Sequence, residues 1–269
     1  MPELEWVIYY LALGLFVGYF SGLLGIGGGL IMVPVLTFMF EAQLLPVNSI
    51  LHLALGTSMA TILFTSLSST RQHHAHGGVS WQTFRYMTPG LLLGTLLGAC
   101  IISFVANSYL TIFFIVFVYF SATQMLLGFK PNPTRNYPAR KGATIAGMVI
   151  GAVSSIVSIG GGVLSVPYLL WHQLSLRHAI ATSAALGFPI AIGGTIGYVI
   201  NGYVGGIDLP ANSIGYVYLP ALTWLVIGTM LTAPLGAKTT HLMPLKRLRQ
   251  LFALVLFMLA TKMLMNAFL

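Results

Sequence analysis

The sequence predicts an all-α fold: a polytopic membrane helical bundle of two inverted five-segment repeats, with short re-entrant or broken helices at its two Gly-Gly-Gly motifs. Three observations predict it. The 269 residues are 57% hydrophobic and only 6% charged, whereas a soluble domain carries about 25% charged residues to solvate its surface. Apolar runs at Trp6 to Leu24, Leu91 to Val105, Tyr109 to Phe129 and Leu248 to Leu269 approach or exceed the ~20 residues that span a bilayer as a helix. None of them alternates polar with apolar as barrel strands do, so helices must satisfy the backbone within lipid. The third observation is internal repetition: GIGGGLIMVPVL at 25–36 returns as SIGGGVLSVPYL at 158–169, an offset of 133.

The elements follow in order from that repeat. Residues 1–130 form a first membrane repeat, 131–141 a cytoplasmic linker and 142–269 a second repeat. The first repeat should hold segments near 6–24, 28–40, 48–70, 84–105 and 108–128. The second should hold them near 142–158, 161–172, 177–200, 216–238 and 246–269. A Thr-Ser pair follows each glycine motif, Thr57-Ser58 and Thr182-Ser183. Gly98-Ala99 returns as Gly236-Ala237, Ala122-Thr123 as Ala260-Thr261 and Met125-Leu126 as Met263-Leu264, all at an offset of 138. The opening Met-Pro-Glu-Leu-Glu-Trp lacks the positive start of a cleaved signal, so the first run is expected to remain in the mature chain.

Charge sets the expected orientation. The formal charge of +8 comes from twelve Lys and Arg residues against four Asp and Glu, scattered through short connections. No basic domain exists to hold a polyanion, which excludes a nucleic-acid partner. Arg71 and Arg85 bracket one connection, Lys130, Arg135, Arg140 and Lys141 fill a second, and Lys238, Lys246, Arg247 and Arg249 flank a third. The positive-inside rule makes these three cytoplasmic. Glu3, Glu5, Glu41 and Asp208 then fall outside, both termini lie outside, and the two halves run in opposite senses. Repeats inverted about an axis in the membrane plane are a construction of secondary transporters.

The glycine motifs carry the candidate chemistry. Three glycines cost ~1 kcal/mol each in a helix, and Leu30 to Phe40 is too short to cross ~30 Å of hydrocarbon upright. A break and re-entry are expected, with Pro34 and Pro167 discouraging a continuous helix and the two tips converging near the midplane. Such non-helical backbone must be buried in protein or line a polar cavity. Helices starting after Gly27-Gly28-Gly29 and Gly160-Gly161-Gly162 would offer unpaired N–H groups and a positive dipole end, a setting that binds anions. Thr57, Ser58, Thr182 and Ser183, about two turns into the next helices, would add hydroxyl donors. The competing reading is that the glycines only allow close helix packing and the hydroxyls bond back to their own helices. Arg177 and His178, at the inner end of their helix, would draw an anion inward or anchor the helix at the headgroups.

At these residues the chain strongly resembles the sulfite exporter TauE/SafE family of membrane transporters. The resemblance rests on GIGGGLIMVP, SIGGGVLSVP, the His-Ala-Ile-Ala-Thr-Ser run at 178–183 and the ending GAKTTHLMPLKRLRQLFALVLFMLATKML, and covers the full length. It implies a multi-pass protein of the cytoplasmic membrane that exports sulfite, organosulfonates or related small anions. The partners expected are a small anionic substrate, the lipid bilayer and a coupling ion, proton or sodium, with a homodimer admitted. No cofactor, metal or catalytic group is expected. An anion channel is the alternative, and a membrane-embedded enzyme another, although Ser58 with His52 and Ser183 with His178 are not at the (i, i+3 or i+4) spacing that joins helix side chains.

Other polar residues read more plainly. His73, His74 and His76 stand in an expected cytoplasmic loop without a carboxylate or cysteine, so solvation is favoured over metal binding. The single cysteine, Cys100, reads as a small buried apolar residue. Lys262 falls well inside the bilayer, where an ionisable group is functional or snorkels to the far interface.

Overall fold

The structure, a computed structural model, describes residues 4–102, 105, 107–128, 139–205, 209–242 and 245–268. Glu3, Lys130, Arg135 and Asp208 lie outside the described residues, as do the side chains of Lys246 and Arg247. Helices dominate, as the hydropathy requires: α1 (Leu4–Leu24), α2 (Gly29–Ala42), α3 (Ile50–Ala75), α4 (Trp81–Ile102), α5 (Asn107–Leu127), α6 (Arg140–Ile156), α7 (Gly162–Trp171), α8 (Leu176–Val204), α9 (Leu219–Leu242) and α10 (Leu245–Phe268). Seven are long and apolar enough to cross a membrane, whereas α2 and α7 are short apolar helices. Large apolar side chains face outward, among them Val116, Ile145, Leu231 and Met258, the surface that a lipid solvent favours. The protein is an all-α polytopic membrane bundle.

Small residues determine which helices touch. Lipid offers no hydrophobic drive between helices, so close van der Waals approach of backbones must hold them together. In α1, glycines at 14, 18 and 22 repeat every four residues and so share one face. A Cβ on Gly22 would stand 2.0 Å from the Ala233 carbonyl oxygen of α9. In α4, Gly90, Gly94 and Gly98 do the same, and a Cβ on Gly94 would stand 2.0 Å from the Met148 carbonyl oxygen of α6. Hydroxyls reinforce the first contact, with Thr232 and Thr240 of α9 each donating to α1, at Leu15 and Leu23 respectively, over 2.7 Å.

The main packed pairs are unchanged when the halves are exchanged, although α10 packs more closely on α2 than α5 does on α7. The first helix of each half packs on the fourth of the other (α1 with α9, α6 with α4), α3 packs on α8, α5 on α10, and α3 on α9 as α8 on α4. In the second half, a two-stranded antiparallel hairpin precedes α9, pairing β1 (Ser213–Ile214) with β2 (Val217–Tyr218). The span expected from 216 therefore starts at 219, since Gly215 at φ +53° turns the chain before Tyr216. Tyr216 is 4% exposed, stacks 4.8 Å from His52, and its carbonyl fills the space beside Gly56.

Two side-chain expectations are corrected. His73 is in α3 rather than a solvated loop, because α3 runs on to Ala75; the ring is fully buried and bonds the Gly22 carbonyl over 3.0 Å. Cys100 is exposed rather than buried, on the outer face of apolar α4.

Candidate functional site

Both glycine motifs form the same turn. Gly28 and Gly161 cap α2 and α7 in the left-handed region, at φ +83° and +81°, which a residue with a Cβ resists. Gly25 and its counterpart Ser158 are left-handed as well, at φ +69° and +51°. Ser158 is held there by its hydroxyl, which donates to the Leu55 carbonyl over 2.6 Å. Neither helix has a side-chain cap, and for the amides of Gly29, Leu30, Gly162 and Val163 no hydrogen-bond acceptor is found among the described residues.

The two turns meet. The Gly160 N–H donates to the Ile26 carbonyl over 3.2 Å, and a Cβ on Gly27 would come within 2.6 Å of the Gly160 Cα. A Cβ on Gly29 would strike the Ser158 carbonyl oxygen, and one on Gly162 the Gly25 carbonyl oxygen. Each helix thus starts against the other motif's turn. The space left between them, bordered by Ser21, Ser69, Gly27 and Gly160, is about 10 Å³, room for the centre of one water.

The hydroxyl pairs divide their work. Thr57 accepts the Tyr218 N–H and Thr182 accepts the Ser80 N–H, both over 2.9 Å. Tyr218 and Ser80 immediately precede α9 and α4, so each threonine of one half holds the start of the fourth helix of the other. Ser183 donates to the Gly25 carbonyl over 3.0 Å and shares a 2.8 Å bond with Ser165. Ser58 differs: it is fully buried, its Oγ has no partner among the described residues, and it stands 3.3 Å from where a Cβ on Gly29 would lie. Of the residues singled out from the sequence, Gly27, Gly28, Gly29, Gly160, Gly161, Gly162, Ser58 and Ser183 are brought together. Thr57 and Thr182 flank them as structural acceptors. Arg177 and His178 sit apart, exposed on the first turn of α8, where His178 bonds Ser175 over 2.8 Å.

Comparison with known proteins fits this geometry. The description "Sulfite exporter TauE/SafE" matches residues 10–263, nearly the whole chain. The chain belongs to the sulfite exporter TauE/SafE family. A probable membrane transporter protein of Haemophilus influenzae is 33% identical over 258 residues, covering 96% of this chain and 97% of that one. The probable membrane transporter protein YdhB of Bacillus subtilis is 29% identical, covering 84% and 87%, and one of Methanocaldococcus jannaschii 26% identical, covering 94% and 93%. No solved structure matches the chain. The protein is a multi-pass membrane transporter.

In this TauE/SafE protein two clefts lie beside the short helices α2 and α7, and they were not foreseen from the sequence. One, of about 330 Å³, lies among α2, α5 and α10 and is bordered by Thr37, Thr111, Met263 and Asn266. The other, of about 50 Å³, lies among α7, α5 and α10 and is bordered by Leu170, Arg249, Met125 and Gly128. These four pairs are counterparts at the repeat offsets of 133 and 138, so the clefts occupy equivalent places in the two halves. The smaller reaches Gly162 and Val163 at the start of α7. The larger ends at Thr37 and Leu51, short of the start of α2. Lys262, beside Met263, lies with its Nζ 4.5 Å from the centre of the Phe38 ring, a cation–π contact. The repeat offset that relates Arg249 to Thr111 was the available signal for these clefts.

Proposed function

We propose that the chain is a secondary carrier of small anions, sulfite or organosulfonates among them, in which two inverted halves expose a site at the glycine turns alternately to each side of the cytoplasmic membrane. The observation that carries this reading is a pair of equivalently placed clefts, of which one reaches its helix start and the other stops short, beside glycine turns in backbone contact. Access open to one helix start and closed at the other suits a carrier that must change state; a channel needs a continuous route. Uncapped helix starts and the unpartnered Ser58 hydroxyl supply the donors that an anion needs. With the basic connections inside, the α7 cleft faces the cytoplasm, the α2 cleft and both termini face outward, and export runs from the first to the second.

The test is uptake by proteoliposomes of labelled sulfite, thiosulfate, sulfoacetate and sulfate, with imposed proton and sodium gradients. Saturable uptake with counter-flow of one anion, abolished by Gly161→Leu in protein that still elutes as a single species, is the expected result. Unitary conductance steps across a planar bilayer would overturn the carrier in favour of a channel.

A further inference from the structure

Arg249 is the feature that the function described so far leaves unused. It stands in the second turn of α10, partly buried, and borders the α7 cleft together with Gln124, Met125, Gly162, Val163 and Val166. None of these neighbours is acidic, and among the described residues Arg249 makes no ion pair or hydrogen bond. A headgroup anchor would project into solvent; Arg249 instead borders a cleft that also reaches the start of a ten-residue helix. At that helix start a second group waits for a partner. Ser154 is 1% exposed, and its hydroxyl has no hydrogen bond among the described residues and lies 3.8 Å from where a Cβ on Gly161 would stand.

We infer that Arg249 is the cation that captures the substrate anion in the α7 cleft and hands it to the Gly162 and Val163 amides. A guanidinium presents paired N–H groups in a fixed plane, which match two oxygens borne on one atom. The class recognised is therefore a small oxyanion of the sulfite, sulfonate or carboxylate kind, not a halide. Partial burial excludes water from one side of the guanidinium and strengthens its pull on an entering charge. In the α2 cleft the counterpart of Arg249 is Thr111; a carboxylate, Glu41, borders the space and accepts from Asn266 over 3.4 Å, and it faces the same space as Phe38, over whose ring the Lys262 ammonium lies. Capture is accordingly tighter at the α7 cleft, where no carboxylate among the described residues offsets the guanidinium; this lowers the half-saturating anion concentration on that side, while the direction of net movement follows the imposed gradients.

The inference rests on the reading of the chain as an anion carrier, and the two can fail separately. In a Cys100→Ala background, Met125→Cys places a thiol in the α7 cleft and Met263→Cys a thiol at the equivalent place in the other. The rates of modification by an anionic and a cationic methanethiosulfonate reagent are measured on purified protein. With Arg249 present, the anionic-to-cationic ratio at Met125→Cys should exceed that in Arg249→Gln and Arg249→Met by about tenfold, the low end of what a charged cleft provides. Arg249→Lys should keep most of that preference, and the ratio at Met263→Cys should not move. Methanesulfonate should protect Met125→Cys only when position 249 is cationic. An unchanged ratio in correctly eluting Arg249→Gln and Arg249→Met proteins, or protection by methanesulfonate that survives both, overturns the inference. If proteoliposomes show no saturable uptake while the charge preference and protection hold, the carrier reading falls and anion capture at Arg249 stands.

Discussion

Neighbouring hydroxyls at 57 and 58 do different things, and single substitutions separate them. Thr57 accepts a buried backbone N–H from Tyr218; a valine of the same shape leaves that donor unpaired, which costs about 1–3 kcal/mol. Thr57→Val should therefore lower the unfolding temperature in detergent, and Thr182→Val should do the same through Ser80. Ser58 has no bond to lose. Ser58→Ala should leave the unfolding temperature unchanged or slightly raised while it increases the KM for the transported anion by up to about tenfold, the worth of one hydrogen bond. A drop in stability for Ser58→Ala equal to that of Thr57→Val would remove Ser58 from the site. The sequence alone suggested that all four hydroxyls in the two Thr-Ser pairs face the substrate. That reading had no access to the residues before α4 and α9, more than a hundred positions away, whose amides donate to the threonine oxygens and give them a structural task as well.

At the scale of elements, the pairing of α1 with α9 and of α4 with α6 rests on glycine stripes that admit no side chain. Gly94→Ala puts a methyl group where the Met148 carbonyl oxygen stands 2.0 Å away. Because that atom is backbone, the helices must part, and forcing extra volume into packed structure costs about 1–3 kcal/mol. Gly22→Ala meets the Ala233 carbonyl at the same distance and should cost a similar amount, measurable as a matched fall in unfolding temperature. Gly77→Ala, where nothing lies within 4 Å, controls for glycine removal but carries the strain of its φ of +66°, so it should lose less than either. Hydropathy and the repeat made the helices legible to within a few residues at most ends, and the breaks before α2 and α7 were legible in three glycines in a row. The four-residue glycine spacing in α1 and α4 was equally visible, yet spacing does not name the partner helix. The hairpin before α9 was hidden because its strands are two residues each, too short to show alternation.

At the scale of the whole molecule, the two clefts raise a mechanical question that the touching turns sharpen. Space between the turns suffices for one water, so no sulfite-sized anion passes while the Gly160 N–H holds the Ile26 carbonyl. Passage requires the turns to part, and in a molecule whose main packed pairs survive exchange of the halves, parting on one side has an equivalent on the other. The present state is unequal: the cleft at α7 reaches its helix start and the cleft at α2 does not. A carrier should exchange these two conditions between halves, since inverted repeats reach the opposite-facing state by trading conformations. Met125 and Met263, counterparts in the two clefts, report on that trade. In the Cys100→Ala background a saturating transported anion should shift the modification rates of Met125→Cys and Met263→Cys in opposite senses, by several-fold each, because a ligand redistributes two states only through its different affinity for them. Both rates rising together would mean that the two clefts open at once, the behaviour of a pore, and both staying fixed would mean that the anion does not select between states.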